Sequence, residues 1–328
     1  NIEHLVEQTL TRRTSVQTSV CFFMWRVMAC SVKPMVVPLQ SQAFQDVQNH
    51  SAVETIICRS NIWRNVLEAV VRVMETTGAG TDALHCVSVT IAACHDRVEY
   101  FESHFGSFPL TLFRKKQLQL IAECYTKDGI KVLNDFHFWV CAAVKAVCSA
   151  GSSDAFRLKC YREDCHRVCI TALQLSSKTA VTGEALLALE RLFRSNEVVC
   201  LEAKTSTREQ VGKTIAKLTN GIQRFLGAGY TLEIRNSECV EAYCKLILRF
   251  TKLLGVGEDS VAIYEKNGVL TTLITLLKTR RTCIVSVDAI LCALKELVSI
   301  RGIGDVCMQN GLISAIQTVM TLHAESSA

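Results

Sequence analysis

Proline is scarce in this chain, which has 328 residues and only three prolines, Pro34, Pro38 and Pro109. A proline inside a helix removes a backbone hydrogen bond and collides with the preceding turn, so the more than 200 residues after Pro109 lack the strongest helix breaker. The chain also lacks runs of alternating apolar and polar residues and glycine-rich hairpins, which argues against a β-sheet protein. We therefore expect an all-α structure.

The chain also has little excess of positive over negative charge and no long apolar run. The formal net charge is +5, which is compatible with an acidic partner or nucleic acid but requires neither. The most apolar run, VCFFMWRVMACSV at residues 20–32, is too short to cross a bilayer and contains Arg26. We therefore expect no membrane span. No secretory signal is visible, and Asn1 in place of an initiating Met leaves room for a leader.

The motifs of common enzyme classes are missing. GAGTDA at residues 78–83 lacks the Gly-Lys-Ser/Thr half of a phosphate-binding loop. Neither the His-Glu-x-x-His motif of zinc proteases nor the Gly-x-Ser-x-Gly motif of serine hydrolases occurs. The carboxylates of the EDC and GED stretches fall where turns or helix caps are expected. We therefore predict that the chain is not an enzyme and uses no cofactor or small-molecule substrate.

Cysteine, by contrast, is abundant, with 17 residues. These residues are scattered through apolar positions such as Cys21, Cys141, Cys148, Cys244 and Cys292, and they do not form the framework of a small disulfide-rich protein. We interpret them as small core residues in a reducing compartment. That predicts an intracellular location (the cytoplasm, the nucleus, a cilium or flagellum, or the mitochondrial matrix) and not a secreted protein.

The densest cysteine cluster is CYREDCHRVC at residues 160–169. Cys160, Cys165, His166 and Cys169 are residue types that bind zinc, but their spacing differs from the paired Cys-x2-Cys or Cys-x4-Cys pattern of zinc sites. On a helix, Cys165 and Cys169 lie one turn apart on a face that we expect to be core. We therefore predict no metal site.

Apolar residues recur with helical period in several segments. The clearest in the second half of the chain are residues 135–154, 182–196, 236–259 and 283–305. Two shorter stretches repeat one pattern, since AIYEKNGVLTTLITLL at 262–277 is followed 43 positions later by DVCMQNGLISAIQTVM at 305–320. The same shift carries the apolar positions of the long segment at 236–259 onto those at 283–305. Each unit therefore indicates a long apolar helix, a Gly-containing turn, a short helix, an Asn-Gly break and a third apolar helix.

This pattern resembles the armadillo repeat family, whose unit is about 40 to 47 residues of three helices. The second family helix is matched by NGVLTTLITLL and the third by ALKELV at 293–298. The match is clear over residues 240–320 and weaker over 53–205. The resemblance implies a right-handed superhelical α-solenoid of about five to six armadillo or HEAT-like repeats. We expect one continuous solenoid over 53–328, with residues 1–52 as an N-terminal helical cap.

Armadillo proteins that carry nuclear-import cargo hold an extended peptide with a Trp and an Asn on successive third helices. In ILCALKELV those two positions are Cys292 and Glu296, and in LLALERLF they are Leu187 and Arg191. The pattern is absent, so the resemblance supports the fold but not that mode of cargo binding.

The exposed positions of the predicted third helices carry mixed charge with a basic excess. They define a candidate partner-binding surface, which consists of Arg191, Arg194, Lys245, Arg249, Lys252, Lys295 and Glu296. We predict a protein-interaction scaffold, a subunit or adaptor of a larger assembly that binds a partner segment in its concave groove. The alternative is a helical-repeat RNA-binding subunit of a ribonucleoprotein complex, for example in organellar RNA processing.

The final repeat has no room for a long third helix before Ala328. Either the chain was cut there or a partner covers the exposed face.

Overall fold

The computed structural model describes residues 108–148, 153–227, 233–255, 258–280 and 283–326. These residues form thirteen α-helices and no strand, which confirms the all-α prediction for the part described. The helices are α1 Phe108–Glu123, α2 Lys127–Val147, α3 Asp154–Arg162, α4 Cys165–Leu175, α5 Thr179–Leu192, α6 Asn196–Thr205, α7 Arg208–Gly227, α8 Glu233–Leu254, α9 Glu258–Lys266, α10 Val269–Thr279, α11 Ile284–Val298, α12 Ile303–Gln309 and α13 Leu312–Ser326.

The chain divides into two compact units, Asn1–Ala172 and Leu173–Ala328. The predicted cap at 1–52 and the first predicted repeat residues, 53–107, lie outside the described residues. No helix in the described part of the chain is both long enough and apolar enough to cross a lipid bilayer.

The four long segments predicted from periodicity are helices α2, α5, α8 and α11. Helix α2 begins earlier than its predicted segment, because Thr126 caps it with a side-chain oxygen that accepts a hydrogen bond from the Gly129 N–H at 3.0 Å. Helices α6 and α7, over residues 196–227, were not among the predicted segments. The apolar period of α7 is present in the sequence, with Val211, Ile215, Leu218, Ile222 and Phe225 buried at steps of three and four, and the sequence analysis overlooked it.

In the first unit, α1 packs against α2. Helix α2 is buried on nearly all sides from Phe136 to Val144, which explains why its sequence is almost continuously apolar. Five cysteines of helices α2 to α4 and their ends are fully buried, as expected for small core residues: Cys141, Cys148, Cys160, Cys165 and Cys169. The prediction is wrong for Cys292, which is exposed because it lies on α11 outside the packed face that Ile290 and Leu294 form. Burial raises the pKa of the Cys244 thiol in the second unit. The pKa of Cys165 is also raised, since a hydrogen bond with Cys160 lowers it but burial and neighbouring groups raise it, so both thiols are neutral.

In the second unit, helices that are three apart in the chain order contact one another. The long helices α5, α8 and α11 pack successively, and so do α7, α10 and α13. The short helices α9 and α12 contact the middle helix that follows each of them, α10 and α13. Consecutive groups of helices therefore share one continuous apolar core, which contains Leu246, Phe250, Ile290 and Leu297.

The two Asn-Gly breaks have the same structure. Gly268 and Gly311 have φ angles of 65° and 81°, in the left-handed region that glycine enters at low cost. Each asparagine side chain donates a hydrogen bond to the carbonyl four residues earlier, from Asn267 to Ile263 at 2.8 Å and from Asn310 to Val306 at 2.7 Å. The same sequence therefore ends a short helix and starts the next in the same way at both positions.

Candidate partner-binding surface

The seven predicted surface residues lie on neighbouring elements of the second unit. Arg191 is in the last turn of α5 and Arg194 follows that helix. Lys245, Arg249 and Lys252 are on α8, which packs against both α5 and α11. Lys295 and Glu296 are on α11. The fold therefore places these charges on, or directly after, three long helices, of which α8 packs against the other two.

Arg194 is already paired within the chain. Its guanidinium donates to both carboxylate oxygens of Glu190, at 2.9 Å from Nε to Oε1 and 2.8 Å from Nη2 to Oε2. The Glu190 side chain is buried, and this hydrogen bonding raises the pKa of Arg194. The pair lies one helical turn apart, which is the separation at which opposite charges meet on a helix.

Arg191 lies in a cluster of both signs. Burial is the largest influence on its guanidinium and lowers its pKa, and the neighbouring Arg194 acts in the same direction. The carboxylates of Glu184, Glu190 and Glu238 oppose that shift. Arg191 is therefore a half-buried cation surrounded by acidic groups, and it does not extend freely into solvent.

The cations of α8 have different environments. Lys245 Nζ is 2.7 Å from Glu241 Oε1 on the same helix. The Arg249 guanidinium donates to the backbone carbonyl of Phe193, so it ties α8 to the end of α5. Lys252 is exposed, as are Lys295 and Glu296 on α11. Of the predicted residues, these three are the ones whose charged groups point most freely toward solvent.

A cavity lined by polar residues, most of them on α7, was missed by the sequence analysis. It has a volume of about 530 Å³ and is lined by Gln174, Lys217, Asn220, Gln223 and Arg224. The signal was available in part, because Lys217, Asn220 and Arg224 lie at steps of three and four on α7. The Arg224 guanidinium donates to the carbonyls of Leu173 and Ser176, the latter at 3.0 Å. Because the Arg224 guanidinium is hydrogen-bonded at the end of α4, the Lys217 ammonium is the cation of the cavity that has no such bond to α4.

A second polar cluster lies in the core of the first unit. The Gln117 side-chain amide donates to Val168 O at 3.0 Å and lies 2.9 Å from His137 Nε2, which places the proton of neutral His137 on Nδ1. No described residue accepts a hydrogen bond from that Nδ1. Burial lowers the pKa of His137 to about 4, so the ring is uncharged at neutral pH.

In the described residues, no group of three or more His, Cys, Asp or Glu side chains is arranged to hold a metal ion. His166, one of the four residues considered for zinc, instead stacks on Tyr161 with the ring centroids 4.2 Å apart. No protein-family model matches the sequence, and no curated protein matches it.

Proposed function

We propose that this chain is a non-enzymatic protein-interaction scaffold built from armadillo-like repeats, which serves as a subunit or adaptor of a larger assembly. The observation that carries the proposal is the structural identity of the two Asn-Gly turns, 43 residues apart, on helices that pack against their own counterparts. A single group of two or three helices cannot bury its apolar faces alone, whereas stacked groups form one core and an extended surface.

The grouping supports at least three consecutive units in the second half of the chain. Helices α6, α7 and α8 form one unit, α9, α10 and α11 the next, and α12 and α13 the first two helices of another. In this assignment the long helices α8 and α11 are third helices, and they carry the exposed Lys252, Lys295 and Glu296. A partner segment that lies across both helices meets charges of both signs along with apolar side chains.

The pairing of the cations favours a protein partner over RNA. Arg194, Lys245 and Arg249 are engaged by a carboxylate or a carbonyl of the same chain. A polyanion gains affinity by releasing counterions from many free cations, and these three offer little of that gain. A mixed-charge protein segment pairs with Lys252, Lys295 and Glu296 without breaking the internal pairs.

The test is affinity capture of partners by the full chain from its native source, with mass spectrometry. The double variant Lys252→Glu/Lys295→Glu is compared with Lys127→Glu/Lys131→Glu, which reverses two exposed charges on α2. We expect a defined set of proteins that is lost with the first variant and retained with the second. The same set with both variants would contradict binding at this surface. RNA retained at low ionic strength and released by salt, through Lys252 and Lys295, would support the RNA alternative instead.

A further inference from the structure

The cavity beside α7 is bordered by polar and positively charged side chains. Its described lining consists of Gln174, Lys217, Asn220, Gln223 and Arg224, and we call it the α7 cavity. This lining includes two cations and no carboxylate. The apolar side of α7, with Ile215 and Ile222, is buried in the core, so the cavity lies on the opposite, polar side of the same helix. The α7 cavity therefore presents positive charge.

Arg224 is engaged by the chain itself. Its guanidinium donates to the Ser176 carbonyl at 3.0 Å and to the Leu173 carbonyl, and its Nε donates to the Asn220 carbonyl at 3.3 Å. Carbonyls at the end of a helix have no partner within that helix and carry partial negative charge, so a cation there satisfies and neutralises them. Arg224 therefore shapes the cavity and has little hydrogen-bonding capacity left for a ligand.

Lys217 supplies the positive charge that is available to a ligand. It is half-buried and lies on α7 two turns before Arg224. Within the part of the chain that the structure describes, no hydrogen bond or ion pair engages its ammonium. The α7 residues three and four positions away on either side, where a carboxylate would reach it, are Lys213, Thr214, Asn220 and Gly221. The Lys217 charge is therefore not neutralised from its own helix.

Three carboxamides line the same cavity. Gln223 is held in place because its Nε2 donates to Thr272 Oγ1 of α10 at 2.7 Å. The side chains of Gln174 and Asn220 have no hydrogen-bond partner among the described residues. Each carboxamide both donates and accepts hydrogen bonds. The cavity therefore offers one cation with donors and acceptors beside it.

These groups match a peptide better than a phosphate. A peptide backbone presents N–H donors and C=O acceptors in alternation, which suits both functions of a carboxamide, whereas a phosphate ester presents acceptors only. Phosphate recognition also favours the bidentate fork of an arginine, and the fork of Arg224 is occupied by carbonyls. The single ammonium of Lys217 suits a single carboxylate.

The cavity is open along one side, because all of its lining residues except Lys217 are exposed. A small-molecule pocket encloses most of its ligand. An open cavity of about 530 Å³ instead admits a stretch of chain that enters at one end and leaves at the other.

We propose that the α7 cavity binds an extended acidic segment of a partner protein. Lys217 pairs with an aspartate or glutamate of that segment, and the carboxamides of Gln174 and Asn220 form hydrogen bonds with its backbone. This inference rests on the proposed scaffold function, and it names a class of partner for residues other than Lys252 and Lys295.

The experiment selects phage-displayed random peptides on the full chain after subtraction on the variant Lys217→Glu. Fluorescence anisotropy then measures the affinity of a labelled selected peptide. We expect the selected peptides to share an aspartate or glutamate, and their binding to weaken by at least about fivefold with Lys217→Met. The variant Lys217→Arg keeps the charge and should retain most of the affinity.

The matched control is Lys213→Met, which removes the same charge from the same helix one turn earlier. Lys213 lies outside the cavity lining, and its Nζ is 2.6 Å from Glu209 Oε1. This variant should leave the affinity unchanged. A charge exchange tests the pairing directly, since a peptide with lysine in place of its acidic residue should bind Lys217→Glu more tightly than the wild type. The double variant Gln174→Ala/Asn220→Ala should weaken the original peptide by about tenfold.

Several outcomes overturn the proposal. These are the absence of enriched peptides, enriched peptides without a shared acidic residue, and equal binding by Lys217→Met and the wild type. Displacement of the peptide by inorganic phosphate but not by chloride at the same ionic strength assigns the cavity to a free anion and overturns it. A dimer in sedimentation velocity that Lys217→Glu abolishes assigns it to a second copy, with the same consequence. Circular dichroism establishes that each variant is folded. The scaffold proposal is tested separately, through Lys252 and Lys295, so its failure is distinguishable from this one.

Discussion

The two compact units bury their apolar residues in different ways. In the first unit, α2 is buried on nearly every side, and it carries polar groups such as His137 into the core. In the second unit, the long helices α5, α8 and α11 pack against one another in turn, and so do α7, α10 and α13. The comparison indicates that the described helices of the first unit are stabilised by one core around α2, whereas each pair of neighbouring helices in the second unit adds a separate interface. All three tryptophans, Trp25, Trp63 and Trp139, belong to the first unit, so fluorescence reports on that unit alone.

The largest expected effect comes from Phe136→Ala in the first unit. Phe136 is fully buried, and its truncation leaves a cavity that lowers the free energy of unfolding by roughly 3–5 kcal/mol. We expect the urea midpoint measured by tryptophan fluorescence to fall. The matched change in the second unit is Ile290→Ala, at another fully buried side chain. It should shift a transition seen by circular dichroism and leave the fluorescence transition in place. Equal fluorescence shifts with both variants would mean that the units unfold together.

A pH effect of intermediate size is expected from His137. Its pKa is lowered to about 4 by burial, whereas an unfolded histidine titrates near 6.5. The unfolded state therefore binds a proton first as the pH falls, and the stabilisation present above pH 6.5 is lost between 6.5 and 4. The loss is roughly 3 kcal/mol in the first unit. Fluorescence-detected unfolding at several pH values measures it. His137→Gln should flatten the dependence in this window, and an unchanged slope would contradict the assignment.

The smallest expected effect comes from substitutions at the two Asn-Gly turns, and these substitutions test whether the turns are equivalent. Gly268→Ala and Gly311→Ala force a side chain into the left-handed region, at a cost of about 1–2 kcal/mol each. Gly304→Ala, in α12 at an ordinary φ and with its nearest neighbour 3.8 Å from the added Cβ, should be neutral or slightly stabilising. Circular dichroism during urea unfolding measures all three. A cost at only one of the two turns would show that they are not equivalent.

Much of the local structure could be predicted because its causes are local. Helical periodicity identified α2, α5, α8 and α11, and a residue pair, Asn-Gly, identified both breaks between short and middle helices. The pairing of Glu190 with Arg194 and of Glu241 with Lys245 was also predictable, since each pair is separated by one helical turn. Our sequence analysis treated the cations as a free surface and overlooked these pairs. The function of the surface stays a prediction.

The sequence by itself determined the helical class, the 43-residue repeat and the burial of most of the described cysteines, such as Cys141 and Cys244 but not Cys292. Each of these follows from backbone geometry or from hydrophobic period within a few turns of chain. Only the tertiary structure decided that the Arg249 guanidinium binds the carbonyl of Phe193 and that the Arg224 guanidinium binds the carbonyls at the end of α4. Those outcomes depend on side chains about 40 to 60 positions apart, whose proximity is set by how the helices stack and not by any local pattern.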